Sequence, residues 1–380
     1  MKRKKYSRNS LFTISALTIA SALTLTACGS DDPVAAAKDS NPLAKPPLAA
    51  HQISGTMTGI GASSQKSAVD TWVSAFQQME PNVKVQYSSD GSGAGRTALI
   101  QGAAQFAGTD AYLKDTEIYQ SKAKCGPEGA INIPVYISPI EVTFNLDGIK
   151  TLNLDASTIA KIFSEKITNW NDPAIKALNP GVNLPNLDIT PVHRGDESGT
   201  TQNFTDYLSK VAPQDWPDKA DQKWPNQYKG EAAQKTAGVV ATVESTPGAI
   251  TYADESGVSE DLGRTKLKVG DTFQAVTPEA AANVVNASPK VSGRIPTDIA
   301  IQIDRKTTAA NSYPLVLVSY HAVCTTYKDP ETVELVKAWE TFVVSEQGQK
   351  LSYEATGSAP LPAELRTLAN KSINSIKEGN

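Results

Sequence analysis

At 380 residues the chain exceeds the ~250 to 300 at which one hydrophobic core stops growing, so two domains are expected. With 40% hydrophobic, 20% charged and 7% aromatic residues, its composition is that of a soluble globular protein, not of a disordered or membrane-spanning one. The formal charge is -4, and setting aside the cations of the first segment (Lys2, Arg3, Lys4, Lys5, Arg8) leaves 31 basic against 40 acidic residues, or -9. No basic run survives to neutralise phosphodiesters, which excludes nucleic acid as a partner. A small anion, if bound, has to be held by a local site.

The chain opens with a cationic stretch, continues as an apolar one from Leu11 to Ala27, and reaches Leu25-Thr26-Ala27-Cys28. Thr13, Ser15, Thr18, Ser21, Thr24 and Thr26 interrupt the apolar stretch. That fits a secretory signal (1–27) better than a transmembrane helix of ~20 predominantly apolar residues. The Leu-x-Ala-Cys ending resembles a bacterial lipobox, which makes Cys28 the expected lipidated N-terminus. Residues 28–52, rich in Ala, Pro, Asp and Lys without apolar periodicity, read as a flexible tether. Cys125 and Cys324 remain. In an oxidising compartment a disulfide between them is the economical reading, with two free thiols as the alternative. A disulfide places the early and late parts of the chain in one lobe.

From Ile53 to Ile60 the pattern is a short strand, and the run from Ser63 is helical, with Val69, Trp72, Val73 and Phe76 at three- and four-residue spacing. Val83 to Tyr87 alternates as a strand; a Gly-rich turn follows at Gly91–Gly95, then a short helix around Thr97–Gln101 and a strand ending at Gly108-Thr109-Asp110. This order is that of an open α/β sheet, whose ligands bind beyond the carboxyl ends of the strands. The extended run Ile131–Asn145, interrupted by Pro134 and Pro139, is a candidate crossing to a second lobe. Then come a helix around Ser157–Phe163, a strand Leu187–His193, a helix from Thr200, a helix around Ala232–Ser245 and a strand Ala249–Ala253. The strand Tyr313–Tyr320 is a second crossing candidate, and helical patterns at Glu331–Tyr353 and Pro362–Ile376 close the chain. No internal repeat is visible.

Three motifs place hydroxyl and glycine residues at strand-to-helix junctions, where free amides and the helix dipole favour an anion. They are Gly61-Ala62-Ser63-Ser64, Gly91-Ser92-Gly93-Ala94-Gly95 and Ser198-Gly199-Thr200. Each alone is equally an ordinary helix cap. In His193-Arg194-Gly195-Asp196-Glu197-Ser198-Gly199-Thr200, however, a guanidinium stands near the hydroxyl and amide cluster. Its planar fork suits an oxyanion, and Asp196 is placed to brace it from behind.

The Arg-x-Asp-x-Ser-Gly-Thr core closely resembles that of the phosphate-binding proteins of the phosphate-specific ABC transporter, a family with the two-lobed type II solute-binding fold. Gly55–Ser64, Gly91–Asp110, Lys161–Pro180 and Thr246–Ile250 extend the likeness over most of the chain from Ile53. The resemblance implies two α/β lobes joined by two crossing strands: 53–137 with 319–380, and 138–318. It implies phosphate contacts from Ser63, the backbone of Ser64, Ser92 and Asp110 on one lobe, and from Arg194, Ser198 and the backbone of Gly199 and Thr200 on the other. It implies a transmembrane permease as partner and no cofactor; a cleft that closes about a hinge near Ile137 and Val318 is expected, and with the lipobox at Cys28 so is a monomer lipid-anchored to the outer face of the cytoplasmic membrane. Ser63-Ser64 departs from the Thr-Phe of many members: the hydroxyl and amide survive, the aromatic wall does not. Facing an anion, Asp110 is repelled unless the ligand brings a proton, which phosphate does and sulfate does not.

Two other functions compete with this one: binding of another oxyanion, and a phosphoesterase. Ser198 lies in Gly-x-x-Ser-Gly, not in a Gly-x-Ser-x-Gly nucleophile elbow, and no Walker lysine follows a glycine loop. His51, His193 and His321 are the available bases, with no metal-ligand spacing near them.

Overall fold

Strand β1 (Gly55–Gly61) leads through residues 62–65 into α1 (Lys66–Met79), whose Val69, Trp72 and Phe76 are buried against the sheet as the spacing requires. The computed structural model describes residues 53–379. The signal segment, Cys28, the tether and His51 lie outside the described residues.

Next follow β2 (Val83–Ser88), α2 (Ser92–Gln101), β3 (Phe106–Thr109) and α3 (Asp115–Cys125). Both β2 and β3 run parallel to β1, so the loops leaving all three strands emerge at one edge. The helix α2 starts at Ser92, earlier than the glycines suggest. A Cβ on Gly95 would collide with the Ile60 carbonyl oxygen, so this glycine lets a helix, not a loose turn, lie against β1.

Strand β4 (Ala130–Phe144) is buried along its whole length and holds both prolines of the extended run. From Ala130 to Pro139 it pairs antiparallel with β11 (Val316–Cys324), and from Ile140 to Phe144 with β8 (Ala249–Asp254). Pro139 stands at this handover and Pro134 beside a register shift, the places where a missing amide costs a ladder least. Ile137 and Val318 are register partners.

The second half of the molecule contains β5 (Thr151–Leu154), α4 (Ala156–Phe163), α5 (Pro173–Leu178), β6 (Thr190–Arg194), α6 (Gly199–Val211), β7 (Glu231–Ala233) and α7 (Lys235–Ser245). Beyond β8 come β9 (Gly263–Val269), β10 (Thr272–Gln274) and α8 (Pro278–Ala287). Strand β6 lies parallel to β7 and β8. The path β2-β1-β3-β11-β4-β8-β6-β7 is therefore one continuous sheet that curls through β4 and β11 to serve two lobes. After β11 the chain ends in β12 (Thr326–Tyr327), α9 (Pro330–Val344), α10 (Glu346–Thr356), α11 (Ala363–Ser375) and β13 (Lys377–Glu378). The single helical pattern at Glu331–Tyr353 is two helices, because Ser345 is extended and caps α10 through the Gly348 amide at 3.0 Å.

Cys125 and Cys324 form a disulfide with Cα atoms 4.4 Å apart, tying the end of α3 to the end of β11. Among the described residues no helix is long and apolar enough to cross a membrane.

Candidate anion-binding site

All three junction motifs sit at strand carboxyl ends and are knitted together before any ligand is considered. The Ala62 amide donates to the Gly108 carbonyl at 2.9 Å, and the Gly91 amide to the Gly61 carbonyl at 2.8 Å. Gly91 itself has φ of 99°, a conformation that favours glycine, and turns the chain into α2.

Asp110 follows the last residue of β3 and is buried at 2% exposure. Its Oδ1 accepts from the Ser64 hydroxyl and from the Ser319 hydroxyl, each at 2.6 Å. Its Oδ2 accepts from the Thr200 hydroxyl at 3.1 Å. The Asp110 amide donates to Ser92 Oγ at 3.2 Å, and its carbonyl accepts from Asn203 Nδ2 at 2.6 Å. A Cβ on Gly199 would fall 2.6 Å from Ser92 Oγ and 2.7 Å from Asp110 Cβ, so only glycine lets the start of α6 approach this close. Ser64, Ser92, Asp110, Gly199 and Thr200 thus meet at one point, with β1–β3 on one side and α6 on the other.

Ser198 is the N-cap of α6: its Oγ accepts from the Thr201 amide at 3.2 Å. Used this way the oxygen is an acceptor, which leaves its hydroxyl proton to donate elsewhere. Gly199 and Thr200 occupy the first helical positions, where amides lack intrahelical partners and the dipole is positive.

Arg194 ends β6 and is buried at 3% exposure. Asp196 grips its fork: Nε donates to Oδ1 at 2.7 Å and Nη2 to Oδ2. Burial acts to raise the Asp196 carboxyl, but the hydrogen bond and charge of Arg194 outweigh it and hold the group below the ordinary carboxylate range. The two side chains, two residues apart in the sequence, are thus paired in the fold. Behind it, the Tyr252 hydroxyl accepts the Arg194 amide at 3.3 Å, and burial pushes that phenol up to about 12.

Ser63 and Arg194 are linked to each other through the start of α7, a helix that the sequence marked without a role in the site. Ser63 Oγ lies 3.0 Å from Thr236 Oγ1 and accepts from the Thr236 amide at 3.1 Å. The neighbouring Lys235 amide donates to Asp196 Oδ1 at 3.0 Å, while Lys235 Nζ reaches Asp90 at 2.9 Å. Lys235 has φ of 65°, unusual for a non-glycine residue, and this left-handed turn lets one residue serve both carboxylates. The Gly93 amide donates to the Glu197 carbonyl at 3.2 Å, so the two sides of the cleft touch along the whole motif set.

The histidines stand elsewhere. His193 stacks on Trp224 with ring centres 4.7 Å apart and its Nδ1 lies 3.0 Å from the Arg194 carbonyl; burial pushes its pKa down. His321 is wholly buried with Nδ1 2.9 Å from Glu340. Among the described residues no group of His, Cys, Asp and Glu is placed to hold a metal ion.

What this geometry offers is one buried cation, one buried carboxylate and a ring of neutral hydroxyl and amide donors. A family model described as the PBP superfamily domain matches residues 47–347. "Phosphate-binding protein PstS 3" of Mycobacterium tuberculosis (strain ATCC 25618 / H37Rv) is 33% identical over 364 residues, covering 94% of this chain and 96% of its own. "Phosphate-binding protein PstS" of Methanocaldococcus jannaschii is 32% identical over 338 residues, covering 84% and 85%. Among solved structures, a high affinity periplasmic phosphate-binding protein (PfluDING) bound with phosphate superposes with a TM-score of 0.67 at 17% identity, over 86% of this chain and 100% of that one. The phosphate binding protein from Stenotrophomonas maltophilia gives 0.65 at 19% identity, over 84% and 94%. These two share the two-lobed fold, and the sequence relatives fix the family: the chain belongs to the PstS phosphate-binding proteins of the PBP superfamily.

Proposed function

We propose that the protein captures inorganic phosphate outside the cytoplasmic membrane and passes it to the permease of an ABC-type importer. The observation that carries this reading is Asp110: a buried carboxylate with its Oδ2 turned toward Thr200, at the point where α6 brings its amides. Phosphate at neutral pH brings a proton for that oxygen. Sulfate brings none, and would face an unpaired buried acceptor at roughly 1 to 3 kcal/mol together with charge repulsion.

In this assignment Ser63, the Ser64 amide, Ser92 and Asp110 supply one side, and Arg194, Ser198 and the Gly199 and Thr200 amides the other. Dehydrating an oxyanion has to be offset by many hydrogen bonds, which is why neutral donors outnumber the single arginine. The lobes are 53–137 with 319–380 and 138–318. They rotate about the paired strands near Ile137 and Val318, so that phosphate settles on one lobe and the other closes over it. Cys28, once lipidated, anchors the protein as a monomer beside its permease.

Calorimetric titration of the purified protein, freed of bound phosphate, tests the assignment. Saturable single-site binding of phosphate is expected; silence toward phosphate would leave the fold standing and overturn the function.

A further inference from the structure

Asp110 meets a polar residue that belongs to neither the junction motifs nor the cleft rim. Ser319 lies in the middle of β11, in the otherwise apolar run Val316-Leu317-Val318, and is fully buried. The register of β11 on β4 shifts between Ser319 and Tyr320, and such irregularities re-aim side chains. Ser319 Oγ donates to Asp110 Oδ1 at 2.6 Å. On its other side it receives Gln65 Nε2 at 2.5 Å.

The direction of this chain of hydrogen bonds is settled by one further contact. Gln65 Nε2 also donates to the Tyr320 carbonyl at 3.2 Å. A carbonyl only accepts, so this end of the Gln65 amide is the NH2 and not the oxygen. The amide therefore donates to Ser319, and Ser319 is left with its single proton to give to Asp110. Room for Gln65 comes from Gly108 on β3, where a Cβ would lie 2.8 Å from Gln65 Oε1.

Resting on the reading of Asp110 as the residue that senses the proton on the ligand, we propose that Gln65 and Ser319 form a one-way relay that pins the Asp110 carboxylate and so sets anion selectivity. Oδ1 carries two donors, Ser64 and Ser319, and Oδ2 is the oxygen offered to the cleft. A carboxylate held on one edge cannot swing aside to accommodate an oxyanion without a proton. Released, it turns away, and the penalty against sulfate falls. Ser319 and Gln65 are positioning residues: they act on the ligand only through Asp110.

The test compares the wild-type full chain with S319A and Q65M, each titrated with phosphate and with sulfate by competition, with circular dichroism melting curves to match the folded fraction. S319A is expected to lower the phosphate-over-sulfate ratio roughly tenfold, in keeping with loss of a hydrogen bond to a charged group. Q65M, which keeps the hydroxyl but not its direction, should move the ratio the same way by less. An unchanged ratio in S319A, or equal weakening toward both anions, overturns the relay; a ratio in Q65M identical to wild type overturns its directional half. A wild-type protein that does not discriminate overturns instead the reading of Asp110 beneath it.

Discussion

The two faces of the cleft hold opposite charges by different means. On the β1–β3 face, Asp110 is fixed by short hydrogen bonds from neutral hydroxyls of a loop, a crossing strand and a facing helix. On the α6–α7 face, Arg194 is fixed by a partly buried carboxylate that is itself tied to the start of α7. On the proposed assignment, the first face rejects a ligand lacking a proton, and the second supplies attraction to any oxyanion. Affinity and selectivity are in this sense divided between the lobes, and substitutions on the two sides should separate them.

The largest effect is expected from the attracting face. Replacing Arg194 by Met leaves the partly buried Asp196 without its partner and removes the only cation of the assigned set. A loss of about 3 kcal/mol, or on the order of a hundredfold in affinity, is expected for phosphate and sulfate alike. Parallel titrations of the two anions check it, and a change in their ratio would contradict the division. Next comes D196N, which keeps the shape of the brace but not its charge. About tenfold weaker phosphate binding is expected, with the ratio again preserved, read from the same titrations.

A third expectation concerns stability. Burial pushes the Asp254 carboxyl up to about 7 and Glu141 up to about 8. Groups raised in this way favour the fold most at low pH, below their unfolded values, and their contribution is lost as pH rises through the folded ones. Asp196, held low, works in the opposite sense at acid pH. Between pH 5 and 9 the melting temperature of the phosphate-free protein should therefore fall, and D254N should flatten that fall. A steeper decline in D254N would refute the assignment. The smallest effect is expected at Lys235, half-exposed in its pair with Asp90. K235M should cost no more than about 1 kcal/mol of the closed state, a few-fold at most in affinity.

How far the residues announced this arrangement differs between fold and site. Periodicity marks α1, α6 and the strands β2 and β8 because each buries one face or one continuous run. The long run to Asn145 shows as extended despite Pro134 and Pro139, and only pairing reveals that both prolines fall where the ladder is irregular or changes partner. Strands β5 and β10 passed unmarked because Thr151–Leu154 and Thr272–Gln274 are too short to show a period; β9, whose Gly263–Val269 does alternate, was missed as well. Of the site, the brace between Arg194 and Asp196 was legible because its members lie two residues apart. Thr236, Lys235, Gln65 and Ser319 were not, since each reaches its partner across the fold. Ser319 did leave a trace, a hydroxyl interrupting an apolar strand, and a buried polar group needs a partner. Ser64 was assigned for its amide alone; its hydroxyl, which the sequence did not single out, holds Asp110.

The most direct test of the division between attraction and selection is D110N, titrated beside the wild-type protein with phosphate and sulfate. Asparagine turns an acceptor that demands a proton into a group that also donates, so phosphate should weaken while sulfate gains, and the ratio should collapse toward unity. Unchanged affinities for both anions would show that Asp110 does not read the ligand's proton.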